Sequence, residues 1–501
     1  MQIISRLRDA RNEWKTKAVA RADQLRYFRK KVDRLKRRFE RRCSNLEEEV
    51  SRLKNENERL RSSATAKPVA LGECRSLRTL CVSIVIGGIV SFRSVPRILF
   101  VLQTFGAEQP QIPHFTSIIH WALRAGVTVF NAVTQLNSPW IAIIDCSIDI
   151  GTRKALVVLR IRLESLAMNQ GAVGLKDCEC IGIHIATSWN GPLVNDALKE
   201  VFAKAGQPVA ILKDGGTDLS KGVQLYRESQ DAKQVVIIDD VGHVAANALK
   251  AEFAKLSPFI KFLEIVRKGA ARIRQTDLAW LLPPKIRTKG RFQGITALSQ
   301  WALKLMEIIG GQGRAKDDSE LKKLRKSFAG ISQLRTFLEN FCATCDVIES
   351  FLKLLKQTGF NQATYKEAKA LLLTMPEKSR VRDRLLSWLE KHLTIHCRLA
   401  IGQTPLLVSS DVIESLFGKF KTIIQRNPQA ELNRLVYIIP LLCGTHTKES
   451  LDQAIKECSH QQMLNQIENT IPKTLRQQRY RVLDANSRKP IPGTKDLLQT
   501  G

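Results

Sequence analysis

Three spacings of apolar residues follow one another along the chain. From Leu25 to Leu60 a stripe runs through Phe28, Val32, Leu35, Phe39, Cys43, Leu46, Val50 and Leu53, mostly in alternating steps of three and four. Such steps predict a heptad seam and hence a coiled coil. Successive steps of four at Leu35, Phe39 and Cys43 make a stutter that locally unwinds the supercoil, and Asn57 on the stripe favours one register and oligomer state. Arg and Lys crowd the other faces between Arg26 and Arg42, so a basic, oligomerising helix is expected. Ser62 to Pro68 read as a linker.

Leu71 to Val133 keep a helical period, broken at Gly87 and Gly88, from Gly106 to Pro113, and at Gly126. Two pieces have the form of helix-turn-helix material: SFRSVPRILFVL, with Ser94 as N-cap, and PHFTSIIHWALRAG, with Thr116 or Ser117 as cap and Gly126 as the stop. In that arrangement Arg93 and Arg97, or the stretch His114 to His120, face DNA. A plain helical connector accounts for the pattern almost as well.

The period then drops to two. Strands are expected at Trp140 to Cys146, Lys154 to Ile161, Cys180 to Ala186, Val209 to Leu212 and Gln234 to Ile238, with helices at Leu193 to Lys204, Asp218 to Arg227 and Gly242 to Ala254. The order βββαβαβα predicts an α/β fold, a three-strand meander continued by parallel units into a mixed sheet with helices on its faces. Past Ala254 the strands vanish, and Lys255 to Leu399 read as helices with loops at Pro283 to Phe292 and Gly310 to Lys316. Ser409 or Ser410 then caps a helix whose apolar side is Ile413, Leu416, Phe417 and Phe420. A last helical stretch runs from Cys443 to Thr470, and Pro472 to Gly501 has the basic, apolar-poor composition of a flexible tail.

With 501 residues, 44% of them apolar, the chain is long enough for about three domains with sizeable cores. Charge changes the picture more: 79 Lys and Arg against 48 Asp and Glu give a formal +31, which implies a polyanionic partner, nucleic acid first. The most apolar run, Leu80 to Val90, falls well short of the ~20 residues that span a bilayer, and the charged N-terminus shows no secretory signal. An intracellular protein with no membrane partner is therefore expected. The 11 cysteines lie mostly apart, as reduced thiols do. Packing is the expected role of the one CxxC, Cys342 and Cys345, which has no second pair at zinc spacing, and of Cys178 and Cys180 on one strand face.

Asp145 closes the apolar strand SPWIAIID, Asp214 closes PVAILKD, and Glu414 lies in the helix SSDVIESLFGKFK. Carboxylates gathered at one sheet edge repel one another unless cations neutralise them. Magnesium or manganese takes such oxygen ligands, and two ions about 3.5–4 Å apart activate the attacking oxygen and stabilise the leaving one in phosphoryl transfer. Asp149, Asp218, Asp239 and Asp411 are rival acids nearby in sequence, and Asp also ends strands for purely structural reasons.

This strand order with these acids resembles the RNase H-like core of DDE-type transposases. Asp240-Val241-Gly242-His243 resembles the Cys/Asp-x-x-His motif that follows the second acid in the hAT-like, P-like and Mutator-like groups. The resemblance covers Ser138 to Val244 and Ser409 to Lys421. Together with the periodicities above it divides the chain into a basic coiled coil (1–64), a helical region with the helix-turn-helix, DNA-binding candidates (69–135), the first part of the core (138–256), a helical insertion (257–405), the last part of the core (406–445), and a C-terminal helix with a basic tail (446–501). It implies Asp145, Asp214 and Glu414 as ligands of two Mg2+ or Mn2+ ions, with Asp240 and His243 as further catalytic residues. The structural alternative for that last pair is a capping carboxylate with a histidine packed one turn on.

The implied activity is DNA cleavage followed by strand transfer, with transposon ends and target DNA as partners and a homo-oligomer held by the coiled coil. PPKIRTKGRF, with Lys285, Arg287, Lys289 and Arg291, is expected along the DNA path through phosphate contacts. The family's target-binding tryptophan has no recognisable counterpart, and Trp280, Trp301 and Trp388 are expected in cores. Two other functions fit the same fold: a transposase-derived DNA-binding protein without catalysis, and a nuclease or resolvase that cuts without joining.

Overall fold

In the computed structural model the described residues are 77–105, 112–151, 153–229, 232–285, 291–310, 320–424, 432–471, 473 and 477–480, together with scattered positions between 14 and 54. The chain divides into two units, Met1–Arg75 with Gly106–Glu108, and Ser76–Phe105 with Gln109–Gly501. In the first, every described residue up to Lys54 is helical; Cys43 is half-buried and Val50 exposed. The other positions of the predicted seam lie outside the described residues, as do the linker from Ser62 to Pro68 and the tail apart from Lys473 and residues 477–480.

The second unit begins with helices α1 (Leu77–Gly88), α2 (Ser94–Thr104) and α3 (Phe115–Asn131). Strands β1 (Trp140–Ile150) and β2 (Arg153–Arg162), the short helix α4 (Leu163–Met168) and β3 (Cys178–Ala186) make the meander. There follow α5 (Gly191–Ala205), β4 (Ala210–Lys213), α6 (Thr217–Glu228), β5 (Val236–Asp239) and α7 (Val241–Phe253). The sheet order is β3-β2-β1-β4-β5, antiparallel from β3 to β1 and parallel from β1 to β5. This is the mixed five-stranded sheet that the strand order predicts, and each expected strand is present. β1 outruns its expected end at Cys146, because pairing with β2 resumes at Ile148 after an irregularity beyond Asp145.

Alternation along the strands divides the core. Ile141 and Ile143 of β1, Leu212 of β4 and Ile238 of β5 join the larger cluster, with the helices before the sheet and those after β5. Trp140, Ala142, Ile144 and Ile211 join the smaller one, built with α5 and α6.

From α7 to Leu399 no strand occurs among the described residues, only α8 (Ser257–Ile273), α9 (Ile295–Gly310), α10 (Glu320–Ser327), α11 (Arg335–Thr358), α12 (Gln362–Leu373) and α13 (Arg380–Leu399), with short 3-10 turns. α14 (Asp411–Ile424) then packs against β1. A 3-10 segment, Arg434–Leu442, and helices α15 (Lys448–Glu457) and α16 (His460–Thr470) pack on α3. No helix among the described residues is long and apolar enough to cross a membrane.

The edge strand β5 is covered by side chains of α13. Asp239 donates its N–H to His392 Nε2 at 3.3 Å and accepts at its carbonyl from Trp388 Nε1 at 3.2 Å. A sheet edge left bare would invite pairing with another chain.

Three local expectations change. Gly126 does not stop its helix; α3 runs through it to Asn131. A Cβ at Gly126 would stand 1.8 Å from the Tyr437 carbonyl oxygen, so the glycine is there for close packing. Neither α2 nor α3 is capped by the expected hydroxyls: Arg93 and His114 hold the cap positions without a side-chain bond to the helix backbone, Ser94 bonds Ser91 instead, at 2.9 Å, and Thr116 bonds the His114 ring at 2.8 Å. Beside Arg97, α2 exposes Phe100, Val101 and Leu102.

Candidate active site

Because β1, β4 and β5 run parallel, the C-terminal ends of β4 and β5 lie beside Ile144 of β1. Ile144 pairs with Lys213, and Lys213 with Asp239. The residues that follow, Asp145, Asp214 and Asp240, therefore lie in a row, Asp145 still paired with Val157 of β2 and the other two just past the ends of β4 and β5. Continuing the period of two from Ile143, Leu212 and Ile238 puts all three on the face of the larger core. Lys213 and Asp239 fall on the opposite face.

Asp145 is only 4% exposed. The neighbouring Cys146 thiol is pushed up by burial first and then by the charges of Asp145, Asp214 and Asp218, which gather around this strand end. Asp214 turns the chain tightly by accepting the Gly216 N–H at Oδ1, 2.9 Å away. The loop then passes over the start of α7: a Cβ on Gly215 would stand 3.1 Å from Asn247 Nδ2 and 3.7 Å from His243 Cβ.

Asp240 is the N-cap of α7. Its Oδ1 accepts the His243 N–H at 2.7 Å, while Oδ2 accepts both the N–H and the hydroxyl of Ser410, at 2.7 and 2.9 Å. The Val241 N–H donates to the Val408 carbonyl at 2.9 Å. These bonds stitch Val408 to Ser410 onto the start of α7 and so fix where α14 begins. Ser410 starts α14 with its carbonyl, as expected of a cap, but its hydroxyl serves Asp240. His243 is half-buried beside the Gly215 loop.

Glu414 is exposed on the first turn of α14, whose Val412, Ile413, Leu416, Phe417 and Phe420 are buried. Desolvation, then the charges of Asp411 and Asp240, hold its carboxyl above the ordinary range; His243 and Lys356 oppose them. Lys356 of α11 pairs with Asp411 at 2.7 Å. A cleft of about 680 Å³ opens here, lined by Asp240, Asp411 and Glu414 together with Lys285, Lys353 and Lys356.

Thus the five expected residues occupy one corner of the molecule in two groups. Asp145 and Asp214 lie on neighbouring strands, one within β1 and the other just past β4; Glu414 lies with Asp240 and Asp411, joined to the Asp214 loop through His243. Among the described residues no three His, Cys, Asp or Glu side chains stand close enough to share a metal ion. Asp145 and Asp214, as adjacent hard oxygen donors, fit a magnesium-type cation; Glu414 does not complete that set in this conformation.

Of the rival acids, Asp239 faces away. Its burial opposes ionisation, but bonds from Lys213 at 2.8 Å and Lys391 at 2.5 Å outweigh that and hold the carboxyl below its usual range. The Asp149 side chain lies outside the described residues, as do Arg287, Lys289 and the Arg291 side chain. Trp388 is buried and Trp301 bonds the Leu281 carbonyl at 3.1 Å, but Trp280 is 74% exposed, against the expectation of a core position. Lys213, Lys356, Lys391 and His392 carried no sequence signal; Lys391 and Asp239 meet across 152 residues of chain.

No family model matches the chain, and no curated protein does. Among solved structures it is similar to the Drosophila P element transposase strand transfer complex, at 13% identity over 78% of this chain and 98% of that one, with a TM-score of 0.35. A likeness of that degree is distant.

Proposed function

We propose that the chain is a metal-dependent DNA-cutting and DNA-joining enzyme of the DDE transposase type. The observation that supports it is the place of Asp145 and Asp214 on adjacent parallel strands of a β3-β2-β1-β4-β5 sheet, whose β1 packs against α14, the helix that carries Glu414. The formal charge of +31 suits a DNA substrate. Asp145, Asp214 and Glu414 would hold two Mg2+ or Mn2+ ions, which when bound neutralise charge on the attacking and leaving oxygens.

The chain's own groups supply the setting. Lys285, Lys353 and Lys356 line the same cleft as the acids and attract the phosphate backbone. Asp240, through Ser410, sets the bearing of α14 and hence of Glu414. In this reading residues 257–405 are an insertion between two parts of the core, 69–135 touch DNA, and the N-terminal helix joins copies of the chain.

A second reading, a transposase-like DNA-binding protein without catalysis, is favoured by the company Glu414 keeps with Asp411 and Asp240. Cleavage of element-end DNA with magnesium or manganese separates the two. Asp145→Ala, Asp214→Ala and Glu414→Ala should each abolish cutting while DNA binding persists. An intact chain that binds but never cuts supports the second reading, and one that nicks a supercoiled target without joined products is a nuclease or resolvase.

A further inference from the structure

A groove of about 640 Å³ runs along the edge of β5 between α6 and α13. Its floor is Lys213, 7% exposed, on the sheet face opposite the acids; Asp239 holds Lys213 and Lys391 together. Arg227 near the end of α6 and Arg398 near the end of α13 line the walls. Both are exposed, and among the described residues neither makes a hydrogen bond or ion pair. Glu228 is the remaining carboxylate and takes the Gln224 amide at 3.0 Å.

Asp239 is thus already shared by two lysines, Glu228 bonds a neutral amide, and the concave strip carries four cationic side chains against two carboxylates. Like charges so placed repel each other, and an anion spanning them relieves that repulsion. A guanidinium fork matches the paired oxygens of a phosphodiester, and successive phosphates suit a row of separate cations better than one compact anion does. We infer that this groove binds the sugar-phosphate backbone of DNA, as a second contact surface on the far face of the sheet from the acid corner. The choice of occupant rests on the DNA-acting reading above, but not on catalysis.

The test compares the full chain with its Arg227→Ala/Arg398→Ala variant in binding a fluorescent DNA duplex of random sequence across a salt series. Expected are about tenfold weaker binding at low salt and a log K against log salt slope smaller by about 1.8, from two phosphate contacts at ~0.9 each. The Arg227→Lys/Arg398→Lys variant keeps both charges and should restore most of the slope, which separates charge from any effect on folding. Unchanged affinity and slope in the alanine variant overturn the proposal. So does a variant that loses binding to polyglutamate but not to DNA, since the occupant is then an acidic protein. If the unaltered chain binds DNA through these arginines yet never cuts, the cutting reading fails and the groove stands; if the alanine variant binds and cuts normally, the groove fails alone.

Discussion

Asp239 and Asp240 are consecutive residues that hold opposite faces of one sheet edge. Asp239 gathers Lys213 and Lys391 on one side, and Asp240 gathers Ser410 and the start of α7 on the other. A strand's alternation is enough to divide the labour. The same turn of chain therefore anchors both the cleft with Glu414 and the groove with Arg227.

Asp240→Ala should cost stability as well as any activity. The 4%-exposed carboxylate accepts three hydrogen bonds, and losing them leaves the Ser410 N–H and hydroxyl buried without their acceptor. A loss of about 3 kcal/mol is expected in urea unfolding, and a smaller one for Asp240→Asn, whose amide oxygen still accepts. Full stability with activity abolished would instead make Asp240 a catalytic group.

Acid should weaken the edge of β5 through His392. The ring is fully buried, donates from Nδ1 to the Trp388 carbonyl at 2.8 Å and accepts the Asp239 N–H, so it is neutral when folded. Burial first, only partly offset by the Trp388 bond, takes its value from 6.5 down to about 4. The unfolded chain then binds the proton more tightly, so this contribution is complete above pH 6.5 and is lost as the pH falls toward 4, about 3 kcal/mol in all. Subtracting the unfolding profile of His392→Asn from that of the parent isolates it; parallel profiles between pH 7.5 and 4.5 would count against the buried neutral ring.

Much of the sheet was legible because β1, β4 and β5 each carry a short apolar run that leads into an acid. Their order followed from the meander and the helices between parallel strands. What the sequence did not carry was the side chains' company. Asp240 reads the same as a ligand or as a cap, and its bond with Ser410, 170 residues further on, has no trace in the local sequence. Gly126 gave the signal of a helix end, yet its cause is the backbone at Tyr437. Trp280 had the composition of a core residue, and solvent exposure depends on folding that local pattern does not contain.

Gly126→Ala should be costly despite the better helix propensity of alanine. Its methyl group would have to displace the Tyr437 carbonyl, 1.8 Å away, and with it the Arg434–Leu442 segment against α3. Overpacking against backbone outweighs the ~1 kcal/mol of propensity gained, for a net loss of about 2 kcal/mol. Differential scanning calorimetry reads it as a lower melting temperature, and a rise would mean the segment is free to yield.

At Asp239 the outermost strand has its amide and carbonyl already engaged by an imidazole and an indole of the same polypeptide. A neighbouring molecule seeking to extend the pleated layer from that rim must first dislodge both rings. Intermolecular stacking at that position is thus opposed by two aromatic groups that the chain brings to its own margin.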